Sequence, residues 1–171
     1  MGSKEIATAV AGARAYLSAH PDEARYRDSA ATAVVEDGLR VRVDGPDGAS
    51  VTTDMVSAVG GGGTAPSPAW LFRAGYASCV ATVITLAAAV EGVELSGLQV
   101  TVDSESDDRG ILGIDESVPP GPLSLRVDVR VESASADEAR VREIVEWGRS
   151  HCPVDDVARR AVPVEVTVHI G

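Results

Sequence analysis

Aromatic side chains are scarce: one Phe, two Trp and three Tyr among 171 residues. A core built from aromatic rings is therefore excluded, and Ala, Val, Leu and Ile must supply most of the buried apolar area. Trp70, Phe72, Trp147 and the three tyrosines then mark places where shape matters. Basic charge is also short: 15 Lys and Arg stand against 26 Asp and Glu, for a formal net charge of −11. That balance excludes the basic face that nucleic acid or an anionic membrane surface requires. Two cysteines and three histidines without ligand spacing exclude a four-ligand zinc site. His151 beside Cys152 does not change this, and no metal is expected. The start of the chain lacks the apolar run of a signal peptide, so the expected compartment is the cytoplasm, where a purely structural disulfide is unusual. The uncharged run of the central stretch, Ala74 to Val90, is bracketed by Arg73 and Glu91 and is shorter than the ~20 residues of a membrane span.

What the chain does have is one organising stretch, Pro66 to Gly92, with Cys79 in its middle. Ser67-Pro68 is a helix start and Gly92 a helix stop. No polar face recurs every turn, so this helix is expected to be buried on most sides of a small domain. The chain length suits one domain with its own core.

Around that helix the chain reads in order. Residues 5–19 suit an Ala-rich helix ended by Pro21, an N-terminal extension over residues 1–28 ahead of a domain over 29–171. Ala30–Glu36, Leu39–Asp44 and Ala49–Ser57 read as three strands, joined by Asp37-Gly38 and by Gly45-Pro46-Asp47-Gly48. The four glycines at 60–63 carry neither a Gly-Lys-Ser/Thr nor a dinucleotide-binding spacing, and read as a connector or a close backbone approach. Leu98–Asp103 is a further strand. Residues 104–122 form a long acidic loop without the calcium-loop pattern. Leu123–Val131 alternates strictly and predicts a half-buried strand. Ser135 to Glu138 has the form of a capping box opening a helix to about Trp147. A short helix follows from Cys152-Pro153 to about Ala161, and Pro163–Ile170 alternates again as a closing strand. The order βββ-α-ββ-αα-β, without a βαβ repeat, predicts an α+β fold around one sheet. The apolar central helix needs more cover than one meander gives, which predicts a homodimer wrapped around it.

Two thiols in a reducing compartment suggest redox chemistry. A thiolate can attack the O–O bond of a peroxide and become a sulfenic acid, and a second thiol can condense with it to a disulfide. Cys152, before a proline at a helix start, faces unpaired N–H groups that favour its thiolate. Trp70, Phe72 and Tyr76 are the candidates to line an apolar substrate pocket near Cys79. The residues alone leave open whether the two sulfurs meet.

The segment APSPAWLFRAGYASCVATVITLAA resembles the central helix of the OsmC/Ohr family of hydroperoxide reductases and osmotically induced proteins, with its Pro-x-x-Leu-Phe start and small-residue run into a reactive cysteine. GVELSGLQVTVDSESDDRGILG is similar to the strand and loop that follow, and HCPVDDVARRAVPVEV resembles the second-cysteine segment. The likeness covers roughly residues 30 to 170. It implies an intertwined homodimer with two sites at the interface, Cys79 as peroxidatic and Cys152 as resolving cysteine, and a small organic hydroperoxide as substrate. It implies no bound cofactor, and recycling by an external dithiol reductant of lipoyl type.

One departure bears on chemistry. In the family's peroxidase branches an Arg on the first hairpin holds the thiolate, and a Glu near the central helix start orients it. Here that start reads Pro68-Ala69-Trp70-Leu71-Phe72, without a carboxylate. Arg40 is the candidate thiolate-stabilising residue, a few positions past the family's; Arg73 lies about 120° round the helix from Cys79. A thiolate without its guanidinium costs about 1.4 kcal/mol per pKa unit. Three readings therefore compete: a thiol-dependent peroxidase, a dimer that binds a small apolar ligand without turnover, and a redox sensor.

Overall fold

The computed structural model describes residues 2–171. The elements are α1 (Ser3–Ala19), β1 (Thr32–Asp37), β2 (Arg40–Asp44), β3 (Ser50–Thr53), α2 (Pro68–Val90), β4 (Gly97–Glu105), α3 (Asp108–Ile111), β5 (Ser124–Glu132), α4 (Glu138–Ser150) and α5 (Pro153–Arg159). The expected α+β class holds, with two differences. The strands form two small sheets rather than one: β1-β2-β3 and β4-β5. The closing strand is absent. Residues 163–170 adopt no strand, and Val164, Val166, Val168 and Ile170 are 74–93% exposed. Their alternation gives the segment a strand's pattern, but strand hydrogen bonds need a neighbour, and no strand among the described residues pairs with it.

The chain divides into two compact units. The first comprises the residues up to Ala7, Tyr76–Thr101 and Val127–Gly171; the second comprises Thr8–Gly75 and Val102–Arg126.

In the second unit the meander forms as the turn residues dictate. β1 and β2 pair antiparallel from Thr32↔Asp44 to Asp37↔Arg40, with a bulge between Val35 and Asp37. The two-residue turn is Gly38-Leu39, one position later than Asp37-Gly38, with Gly38 at φ +55°. β2 pairs antiparallel with β3 from Val41↔Thr53 to Asp44↔Ser50. The glycine loop after β3 is a close backbone approach. A Cβ on Gly61 would lie 1.9 Å from the Met55 carbonyl oxygen. Asp54, 2% exposed, ties this loop together. Its carboxylate accepts the N–H groups of Met55 (2.7 Å), Gly62 (3.3 Å) and Thr64 (3.0 Å) and the Thr64 hydroxyl (2.8 Å). The acidic 104–122 connection contains α3, capped by Asp107, whose side chain accepts from the Arg109 N–H.

In the first unit the core is the C-terminal part of α2. Val80 and Ile84 are fully buried, and Ala87, Ala88 and Ala89 nearly so. Ser67 caps the start of α2 by accepting the Trp70 N–H (3.2 Å). Gly92, at φ +68°, ends it: the Gly92 N–H donates to the Ala89 carbonyl and the Val93 N–H to the Ala88 carbonyl. Burial on most sides does not hold in the single chain. One face of α2 is buried, while Gly75, Ser78, Thr82 and Thr85 recur at helical spacing on an exposed face. By length and composition alone this 23-residue helix is apolar enough to cross a bilayer. Its buried face is instead packed by α4 and α5, described below.

The capping box is also corrected. The N-cap of α4 is Asp137, accepting the Arg140 N–H at 2.9 Å. Ser135 is engaged elsewhere: its hydroxyl accepts the Glu94 N–H (2.9 Å) and lies 3.3 Å from the Glu94 carbonyl. β5 alternates exposed and half-buried residues along its whole length, as its sequence predicts.

Candidate active site

Four contacts lay α4 and α5 along α2 in opposite chain direction. Arg140 forms an ion pair with Glu91. Gly148 lies against Ile84, so close that a Cβ there would fall 2.9 Å from the Ile84 Cα. Cys152 lies near Cys79, and Asp155 accepts from Tyr76. Each residue further along α4 and α5 meets one further back along α2. The glycine is what lets the end of α4 approach the α2 backbone, and Pro153 in the first turn starts α5 immediately afterwards.

This places the two cysteines together. Cys152 is 1% exposed and Cys79 half-buried; both are free thiols, and they lie close enough for each to bear on the other's charge. Burial pushes the Cys152 thiol above its ordinary value. The N–H groups of Asp155 and Val154 in the first turn of α5 oppose this, and the contact with Cys79 adds to it. The thiol is thus the resting form of Cys152 at neutral pH. His151, next in the chain, is exposed, stacks on Trp147 with ring centroids 3.9 Å apart, and has Nδ1 2.8 Å from the Trp147 carbonyl.

Tyr76, one turn before Cys79, is 4% exposed, and its hydroxyl donates to Asp155 Oδ1. Burial first, and the carboxylate second, push its phenol up to about 12. Asp155 is 1% exposed. Its Oδ2 faces the Arg159 guanidinium in an ion pair, without a well-aligned hydrogen bond. Sequence reading did not single out Asp155. An acid in the first turn of a helix is ordinary favourable dipole chemistry, and only the fold shows that this one points inward. Its spacing three residues after Cys152, matching Tyr76 three before Cys79, is the one signal the sequence holds.

Arg40, Trp70 and Phe72 belong to the other unit. Arg40, on β2, lies 3.3 Å from Glu36 and donates through Nη1 to the Thr64 hydroxyl at 2.7 Å. Thr64 in turn donates to Asp54, so Arg40 is tied to the glycine loop. Arg73 donates to the Ser104 hydroxyl at 3.1 Å. Trp70 is half exposed. Phe72 lines an open apolar cavity of about 430 Å³ with Ala33, Val41, Val43, Thr53, Pro68 and Leu71. Of the three expected pocket residues, Phe72 lines this cavity, Tyr76 serves Asp155, and Trp70 lines neither.

The chain is thus a mixed α+β fold with two free thiols near one another, one on a central helix and one at the start of a short proline-started helix. The family model for "OsmC-like protein" matches residues 60–167, and the chain belongs to that family. It is 27% identical over 150 residues to the organic hydroperoxide resistance protein of Xanthomonas axonopodis pv. citri, covering 88% of this chain and 99% of that one. Among solved structures, the OsmC-like protein of Mycoplasma pneumoniae superposes with a TM-score of 0.67 at 14% identity, covering 79% of this chain and 89% of that one. The organic hydroperoxide resistance protein OsmC of Legionella pneumophila gives 0.58 at 23%, covering 79% and 91%. At these identities the structures establish the fold.

Proposed function

We propose that the chain is a cytoplasmic thiol-dependent peroxidase that reduces small organic hydroperoxides and works as a homodimer. The observation that carries this reading is that α4 and α5 run along α2 so as to bring Cys152 beside Cys79, in a chain whose relatives include organic hydroperoxide resistance proteins. Cys79, the more accessible thiol, attacks as thiolate the distal peroxide oxygen. The O–O bond breaks, the alkoxide leaves and takes up a proton as alcohol, and Cys79 is left as sulfenic acid. The Cys152 sulfur then displaces water from it, forming the disulfide. An external dithiol reduces that disulfide by two exchange steps and becomes oxidised itself. Burial of Cys152 supports the assignment: it keeps the second thiol protonated, and away from peroxide, until the first has reacted.

A second reading has one observation in its favour. The apolar cavity beside Phe72 suits a small apolar ligand, and Arg40 is engaged by Glu36 and Thr64 rather than held free for a thiolate. On that reading the protein binds or senses without turnover.

The test is peroxide consumption with cumene hydroperoxide and a dithiol reductant, for wild type, Cys79→Ser and Cys152→Ser. The peroxidase reading expects steady turnover by wild type alone, with Cys79→Ser inactive and Cys152→Ser spent after one turnover. Equal slow rates in all three would overturn it in favour of binding, and one fast disulfide without recycling would favour sensing.

A further inference from the structure

We propose that Asp155 is a positioning residue for the thiol pair: by accepting the Tyr76 hydroxyl it clasps the first turn of α5 to α2 and so holds Cys152 against Cys79. The inference deepens the two-thiol reading and rests on it. It assigns a role to two residues whose side chains lie outside the thiol pair.

At seven residues α5 is far too short to be stable by itself, so its place is set by what its first turn grips. Its outward side offers little: Val157 is 54% exposed, and Arg160 pairs with Asp156 of the same helix. The grip is on the inward side, where Cys152 and Asp155 are the two residues 1% exposed. Three positions apart, they lie on one face of the turn. Tyr76 and Cys79 share one face of α2 in the same way. Two parallel links result, Asp155 to Tyr76 and Cys152 to Cys79, running in opposite chain directions. Two neighbouring thiols attract each other only weakly, whereas a phenol hydroxyl donating to a buried carboxylate is a charge-assisted bond. The strong link therefore fixes the geometry of the weak one. A buried carboxylate is costly unless fully partnered. Here Tyr76 takes one oxygen and Arg159, from the next turn of α5, faces the other, so the same acid also braces α5.

The experiment reads the proximity of the thiols directly, without peroxide. Reduced protein is equilibrated in glutathione buffers of varying ratio: the two thiols become a disulfide as one oxidised glutathione becomes two reduced. The equilibrium constant is the effective concentration of Cys152 at Cys79. It is measured for wild type, Tyr76→Phe, Asp155→Asn and the double variant, beside urea unfolding of each. The clasp predicts a fall of at least tenfold, about 30 mV, in Tyr76→Phe and in the double variant. Asp155→Asn keeps an acceptor for the phenol and should fall less. Asp155→Glu, which restores charge with altered reach, supplies the second reading should Tyr76→Phe not fold, and should also fall tenfold. Effective concentrations within twofold of wild type, with or without a loss of global stability, would reduce Asp155 to an ordinary structural acid and overturn the proposal. Because no peroxide is used, an inactive wild type would sink the peroxidase reading and leave this measurement standing.

Discussion

Gly148 of α4 and Ile84 of α2 touch at a distance only a glycine permits: a Cβ on Gly148 would lie 2.6 Å from Ile84 Cγ1, 2.9 Å from its Cα and 3.0 Å from its N. Two of those three atoms are backbone, so no rotamer change relieves the clash. Gly148→Ala should force α4 away from α2 and cost about 1–3 kcal/mol, the usual range for overpacking a close contact. The midpoint of urea unfolding measures it. Helix propensity pulls the other way, since Ala in a helix interior is favoured over Gly by roughly 1 kcal/mol. A variant as stable as wild type or more so would mean that the contact is looser than described.

Asp54 stabilises the second unit by an amount set by pH. Its carboxylate accepts the N–H and hydroxyl of Thr64 and the N–H groups of Met55 and Gly62, which hold its pKa at about 2 against an unfolded 3.8. A depressed folded value means that the contribution is complete above pH 3.8 and is lost as pH falls through 2. Asp54→Asn should be less stable than wild type at pH 6, and the two unfolding midpoints should converge between pH 4 and 2. A constant gap across that range would show that the charge is not what binds the loop.

Much of this was legible in the residues, and the misses share a cause. The meander, the central helix with its Ser67 and Gly92 ends, and β5 are local features of turn chemistry and periodicity, and each lies within a few residues of its expected place. What failed depended on partners distant in the chain. Ser135 looks like a cap but is taken by the Glu94 backbone, leaving the cap to Asp137. Residues 164–170 have a strand's alternation but no paired strand among the described residues. Within the site, the two cysteines could be named from sequence, whereas Asp155 could not. Its inward turn follows from the approach of α4 and α5 to α2, which depends on Gly148.

The raised pKa of Cys152 predicts the pH dependence of the step it takes in the proposed cycle. Condensation with a sulfenic acid is fastest from the thiolate, and burial disfavours that form. The rate of disulfide closure after one equivalent of peroxide should therefore rise about tenfold per pH unit from neutrality and still be climbing where an unperturbed thiol, at about 8.5, has levelled off. Stopped-flow tryptophan fluorescence, checked by dimedone trapping of the sulfenic acid, follows it; Trp147 lies five residues before Cys152. A plateau below pH 8 would mean that the N–H groups of Val154 and Asp155 outweigh burial.

The C-terminal segment supplies the last prediction, which bears on the proposed dimer. Val164, Val166, Val168 and Ile170 alternate with other residues along the segment and stand at 82, 76, 74 and 93% exposure. Unpaired backbone beside an apolar row is a template for strand addition. α2 likewise leaves Gly75, Ser78, Thr82 and Thr85 uncovered, a small-residue face over which a second helix can approach closely. Association of two copies would bury both. Fully burying a valine or isoleucine side chain is worth about 1.5–3 kcal/mol, so two charges in the row should cost several kcal/mol. Val166→Asp with Val168→Asp should then weaken association by about a thousandfold or more, since ~4 kcal/mol corresponds to three decades in Kd. Sedimentation equilibrium of both proteins at micromolar concentration decides the matter. Wild type should run as a dimer and the double variant as a monomer. A monomeric wild type, or a variant of unchanged mass, would remove the C-terminal row from the interface and leave its exposure as a property of the single chain.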